Sequence, residues 1–579
     1  MAQKSKPRTP RKSSYRGFEG VDLKKTHSGD ESIAFIDNFR ITSDGSLEKR
    51  YGFNEVYRDT GKTSAVKASY STIEDDKEVC YFTHGKYVKK YDSSTAEVYT
   101  IGTLSADDMN MFFFEYLNTL YICDGYKIFT VLPDSLSDAH FYIPLYGKDW
   151  NAFEGELNEL PNLLWPKIAI SYKLTPPAKS YLSLGHLNIS SIDAVYRNGQ
   201  LLNPDQYYMH EEYNSITVPQ FADNDEFLAI VTFIPNADYE RERKELLSSN
   251  HTSFFYELNK NNMFFWGSKN NNKIFYSTGI NEESSKITFL HPQNNAFYIP
   301  VGSFFSVASK KDRVNALIRH YDRVLIMTDS STWITNLEDL ESNSLKLNNI
   351  NSSIGCNIPN GCVRIENSLF SVGKDAIYEW TSDTDKLNEC NAYSISSPIQ
   401  SLLGSMFFKQ CLLHLNYDER EIWFYHSYQK KVWIYNYERK IWYSYSGFSP
   451  SAFLDGGMFV RFFEGNSLYA FNSSFDSDIR DSEEHPITAQ LISGELEFNS
   501  RNKKKLCTTT IRGICSDGSM TLNIKLDGKD SLTYDVTLKD KHSVIPFRTR
   551  SGSFNSMTFS LVATGKGKQI IHGIELDAD

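Results

Sequence analysis

Asp418, Glu419 and Glu421 crowd together just before a run rich in tryptophan and tyrosine, and paired carboxylates beside aromatic rings are what glycoside hydrolysis requires. Two acids about 5–9.5 Å apart can protonate a leaving oxygen and attack or activate water. Trp423, Trp433, Trp442 and Tyr443 follow and could form a platform on which a sugar stacks. A plainer account competes with this one. Asp-Glu-Arg is a common exposed hairpin tip, and aromatics at alternate strand positions pack between sheets. The packing account is preferred, and no residue here is assigned a catalytic role.

Other reactive patterns are incomplete. Asp59-Thr-Gly-Lys-Thr63 has the tail of a phosphate-binding loop, but Val56 stands where its first glycine belongs, so the segment reads as a turn. None of the histidines forms HExxH, and His320, His414 and His426 lie in strand-like runs without ligand-spaced neighbours. Cys356 and Cys362 are too far apart for a CxxC and lack a second pair. The acidic stretch 475–484 lacks the glycine and terminal glutamate of a calcium loop and reads as a solvated linker. No metal and no cofactor is expected.

The elements that carry these residues are short aromatic or β-branched runs separated by turns of Gly, Asn, Asp and Lys. Residues 78–92, 118–131, 262–278, 366–381, 420–446 and 459–472 each read as hairpins. Trp433, Tyr435 and Tyr437 fall on one strand face, with Val432, Ile434 and Asn436 on the other. Apolar groups on both faces require cover on both sides, as in stacked propeller blades. The expected fold is therefore all-β: a β-propeller of five to seven blades, with an inserted small β-domain and a C-terminal β-sandwich. The propeller spans 18–165 and 236–480, the insert 166–235 and the sandwich 487–579. Asn198-Gly199 marks a type I′ hairpin in the insert. Residues 236–249 suit a short exposed helix, with Glu240–Lys244 and Arg241–Glu245 at i,i+4.

The 579 residues exceed what one core serves, and no apolar run reaches the ~20 residues of a membrane helix. Aromatics at 14% favour strands. Lys4, Lys6, Arg8, Arg11, Lys12 and Arg16 stand in an opening stretch without an acid, leaving −17 on residues 17–579. Residues 1–17 are expected to be a disordered basic arm that could dock on a partner. The acidic body disfavours broad affinity for a DNA backbone. Eight cysteines and no export signal point to reduced thiols and synthesis in a cytoplasm.

Residues 18–53 resemble the opening of bacteriophage virion β-propeller proteins, of the tail nozzle or hub and the packaged-DNA-stabilisation or head–tail connection types. The resemblance rests on Phe18-x-Gly20, Asn38-x-Arg40, Asp44-Gly45-x-Leu47 and Arg50-x-Gly52-Phe53, with Tyr51 replacing the family's usual proline. Trp266-Gly267-Ser268 with Ile274–Ser277, the hairpin Ser371–Tyr378, and Arg420–Trp423 with Tyr435, Asn436 and Trp442 are similar to later blades of that family.

The resemblance implies a non-enzymatic component of a phage tail or head–tail junction, made in the host cytoplasm, that assembles into a ring, often a hexamer. Its partners would be copies of itself, a portal-proximal adaptor or other tail proteins, and tail fibres or spikes. Double-stranded DNA would pass without sequence-specific binding, repelled by an acidic lumen. A host-surface glycan-binding tail protein is the alternative, and a polysaccharide depolymerase stands behind it.

Overall fold

The computed structural model describes residues 11–15, 17–25, 32–59, 66–95, 97–148, 159–173, 181–184, 187–218, 225–257, 260–268, 272–278, 297–309, 312–320, 323–336, 346–382, 390–404, 411–454, 459–498, 502–549 and 551–579. The chain divides into two compact units, one of residues 1–100 with 360–579 and one of residues 101–359.

Antiparallel four-strand meanders are the repeating element. Residues 69–103 form one, its last strand running three residues past the first unit; that unit also holds residues 362–394, residues 411–446, and a composite of Ala452–Leu454, Arg461–Glu464 and Ser467–Phe471 with Phe53–Arg58. In the second unit they cover residues 112–138, 251–306 and 314–351. Sheets of this kind, hydrogen-bonded between sequence neighbours in every case but the composite one, are those of a β-propeller. Side chains on both faces are buried, as in Lys431–Asn436, where Val432 to Tyr435 are all enclosed. Four consecutive buried residues, Val432 to Tyr435, make sense only between two neighbouring sheets.

The composite sheet is closed by an N-terminal strand. Phe53–Arg58 pairs antiparallel with Ser467–Phe471, so Phe53 lies opposite Phe471. Phe53 is wholly buried, and the rings of Phe448, Phe462, Tyr469 and Phe471 meet it edge-on at 5.2–5.8 Å. Edge contacts of this kind each add about 0.5–1.5 kcal/mol beyond simple burial.

Residues 487–579 form two facing sheets, and strands from the start of the chain complete both. Phe39–Ile41 and Leu47–Lys49 join the sheet of Gln569–Ala578, Leu506–Cys515 and Ser543–Arg548. Ile33–Asp37 pairs with Ile487–Ser493 and touches Ile441–Ser446 in parallel at Asp37 and Ser444. The expectation that residues 18–165 belong to the propeller is thus corrected for residues 33–49. Alternation in these strands specifies a buried face but not which sheet supplies the cover.

The expected disorder of residues 1–17 is corrected for residues 11–15. Arg11–Tyr15 is a strand paired antiparallel with Gln569–Ala578, with Ser13 and Tyr15 buried and Lys12 3.8 Å from Asp577. Backbone pairing to an open edge needs no apolar alternation, so a polar run can serve. Lys4, Lys6, Arg8 and Arg16 lie outside the described residues.

Within the second unit, Lys167–Lys173, Glu226–Phe233 and Ile189–Arg197 form a sheet with Leu145–Lys148 and Gln200–Leu201. A second, three-stranded sheet holds Tyr181–Ser183, Ser215–Thr217 and Tyr208–His210. Ile168, Ile170, Leu182, Val195, Ile216 and Phe227 fill the core of this module. Asn198 and Gly199 both adopt positive φ, 48° and 78°, which the tight hairpin requires. Helix Ala237–Leu247 begins where the Asn236 side chain accepts from the Tyr239 N–H at 2.9 Å. Its expected Arg241–Glu245 pair gives way to Arg241 with Asp238 and Glu245 with Lys273, at 2.8 and 2.6 Å.

Candidate functional site

The carboxylates and aromatics that suggested sugar chemistry separate into core and rim. Trp423, Trp433, Trp442 and Tyr443 are each no more than 3% exposed, so they make no platform. Each indole N–H is satisfied internally: Trp423 donates to Glu421 at 2.7 Å, Trp433 to Gln429 and Trp442 to the Ile395 carbonyl, both at 2.9 Å. Strands covered on both faces leave Trp433, Trp442 and Tyr443 no side open to a ligand.

Glu421 opens the strand Glu421–His426, and Asp418 and Glu419 sit on the exposed turn before it. One Glu421 oxygen accepts from Trp423 and the other from the Tyr443 hydroxyl. Burial pushes this carboxyl up to about 7, against the pull of its two donors. The Tyr443 phenol is raised by the same burial and by the carboxylate it faces.

A pocket of about 240 Å³ opens over this group, walled by Trp423, Tyr445, Phe459 and Phe471 and edged by Asn416 and Asp418. Arg40 lies at one side, its guanidinium 4.0 Å above the Tyr51 ring. It pairs with Glu48 at 2.6 Å and Glu419 at 3.1 Å, while Lys568 also reaches Glu48 at 2.9 Å. Cations and carboxylates at this edge therefore offset one another.

A second cluster grows from Lys49–Phe53. Arg50 is 1% exposed and uses all five N–H donors. Two go to the Asp478 oxygens at 2.8 and 2.7 Å, and the others to Asn38 Oδ1 at 2.8 Å, the Tyr51 carbonyl at 2.9 Å and the Ser446 carbonyl at 3.1 Å. Phe53, Phe448 and Phe471 surround the guanidinium at 5.5–5.8 Å. Lys49 is also buried and donates to the Gly565 and Gly567 carbonyls at 2.8 and 2.6 Å; burial brings its amine down to about 8. Gly52 is required by space, since a Cβ there would lie 1.8 Å from the Ser477 carbonyl oxygen. Arg50, Gly52 and Phe53 were picked out from sequence, but their partner Asp478 was not.

That omission corrects the reading of 475–484 as a solvated linker. Asp478–Arg480 and Glu483–His485 form a hairpin, and Ile479 pairs in parallel with Asn54. The signal available was Ile479 between polar residues, too brief to mark a strand.

His320, His414 and His426 are buried, and His414 stacks on Phe453 at 5.0 Å. Cys356 and Cys362 are buried free thiols. Asp59, the first residue of the phosphate-loop-like pentapeptide, accepts from Lys89 at 2.5 Å and lies 2.7 Å from His84, while residues 60–63 lie outside the described set. Among the described residues no group of three metal-ligating side chains converges.

No protein-family model matches the chain, and no curated protein matches it either. Similar solved structures include a chain of the mitotic checkpoint complex, at 9% identity and TM-score 0.36, covering 73% of this chain and 93% of that one. The AfRom2 CNH domain follows at 8% and 0.35, covering 73% and 99%. The Cps50 (Swd1) β-propeller domain of Myceliophteria thermophila is at 9% and 0.30, covering 72% and 100%. Likeness at this level bears on no function, and the fold rests on the chain's own sheets.

Proposed function

We propose that this chain is a non-enzymatic structural component of a phage tail or head–tail connection, assembling into a ring that forms part of the DNA conduit. The observation that carries the reading is the interlock at Lys49–Phe53. There a segment resembling the opening of virion propeller proteins closes a blade, completes a sandwich sheet and buries a fully bonded arginine. A conduit under internal pressure needs a body whose chain does not peel from one end, and strands held on both sides supply that. The acidic body suits a channel along which DNA slides without adhering. Ring closure would use heterologous contacts between copies.

Negative-stain microscopy with mass photometry on the purified chain, and immunogold labelling of virions, test the proposal. The expected result is a closed ring of several copies, labelled between capsid and tail tip. A monomer, or label confined to fibres, overturns it.

A further inference from the structure

The pocket above Glu421 is unused by the assembly role, and the inference drawn from it does not rest on that role. Its walls are rings, and its edge carries planar polar groups. Small-molecule sites have this composition, apolar walls with a few placed hydrogen-bonding groups.

We propose that this pocket binds one ring of an uncharged pyranose, the terminal residue of a glycan. Four features select that class. The pocket, at about 240 Å³, suits a single ring and not a chain of them. Phe459 stands at the lip, 37% exposed, and can cover the apolar face of a sugar. Asn416 and Asp418 offer an amide and a carboxylate at the rim for neighbouring hydroxyls.

Charge decides the rest. Arg40, Glu48, Glu419 and Lys568 are committed to one another, so the edge has no spare cation for an acidic sugar. Burial favours the uncharged acid at Glu421, which can donate a hydrogen bond as well as accept one. A neutral polyol needs no counter-charge at an edge whose cations and carboxylates already offset one another.

This site differs from the platform suggested by the sequence. Of the four rings it keeps only Trp423, together with the Asp418, Glu419 and Glu421 carboxylates, and it replaces a flat stacking surface by a cavity between sheet and turn.

Saturation-transfer NMR on the whole chain, with the methyl glycosides of glucose, galactose, mannose, N-acetylglucosamine and rhamnose as probes, tests the proposal. At least one glycoside is expected to show saturable transfer. Asp418→Ala and Phe459→Ala, both at exposed positions, should each weaken it at least tenfold with unchanged melting temperatures. Tyr428→Ala, at a 78% exposed residue on another turn, should leave it intact. Silence from all five glycosides, or transfer undiminished in both pocket variants, overturns the proposal. So does binding of methylguanidinium in place of every sugar.

Discussion

Two buried carboxylates in the same unit are held in opposite ways. Asp478 receives a bidentate arginine whose other donors are also bonded, so charge meets charge and no guanidinium proton is left over. Among the described residues Glu421 has no cation in its hydrogen-bonding shell, only an indole N–H and a phenol O–H, and burial drives it toward the neutral acid. Removing water from a charge demands either a counter-charge or a proton, and this chain uses one remedy at each place. The first arrangement fixes geometry at every pH where the carboxylate persists. The second ties local stability to pH.

Breaking the first arrangement should have the largest effect. Arg50→Ala leaves Asp478 buried without a partner, and a loss of about 3–5 kcal/mol is expected in denaturant unfolding. Arg50→Met combined with Asp478→Leu removes both charges, and most of that loss should be recovered. A double variant as unstable as the single one would show that packing, and not the charge pair, dominates the junction.

The second arrangement predicts a pH slope. The folded carboxyl at about 7 lies above its unfolded value of 4.5, so between these values the folded state binds more protons. Its contribution is fully present below about pH 4.5 and is lost as pH rises through 7, about 3 kcal/mol in all. Glu421→Gln should flatten that part of the stability curve. An identical slope in the variant would place the proton elsewhere.

Tyr443→Phe should have the smallest effect. It removes one donor to Glu421, costs about 1 kcal/mol, and raises the acid's midpoint further because the ionised form loses support. Titration followed by the Glu421 side-chain carbonyl resonance would show the direction.

The contrast also explains what could be read from the sequence. Hairpins such as 78–92 and 420–446 were legible because their signal, alternation broken by a turn, is complete within a few residues. The Asn198-Gly199 turn was legible for the same reason. Phe39–Ile41 pairs locally with Leu47–Lys49, but Ile33–Asp37 and Leu47–Lys49 were not placed, because the sheets they join lie more than 400 residues away and no local pattern names them. Arg11–Tyr15 escaped because Arg-Lys-Ser-Ser-Tyr carries almost no apolar content and is held by backbone pairing. At the candidate site, residue types were visible but burial was not. Trp433 and Trp442 look alike in a sequence whether they face a ligand or a neighbouring sheet.

The bond between Arg50 and Asp478 spans 428 positions of chain. During synthesis at about 5–20 residues per second, Arg50 would wait roughly 20–90 s for its counter-ion to leave the ribosome. Strand Phe53–Arg58 waits almost as long for Ser467–Phe471. Throughout that interval a strand edge and an uncompensated guanidinium are available to any nascent neighbour. Contacts of such separation make maturation slow and concentration-sensitive, so the yield of native protein should depend on expression rate and chaperone supply more than on final stability.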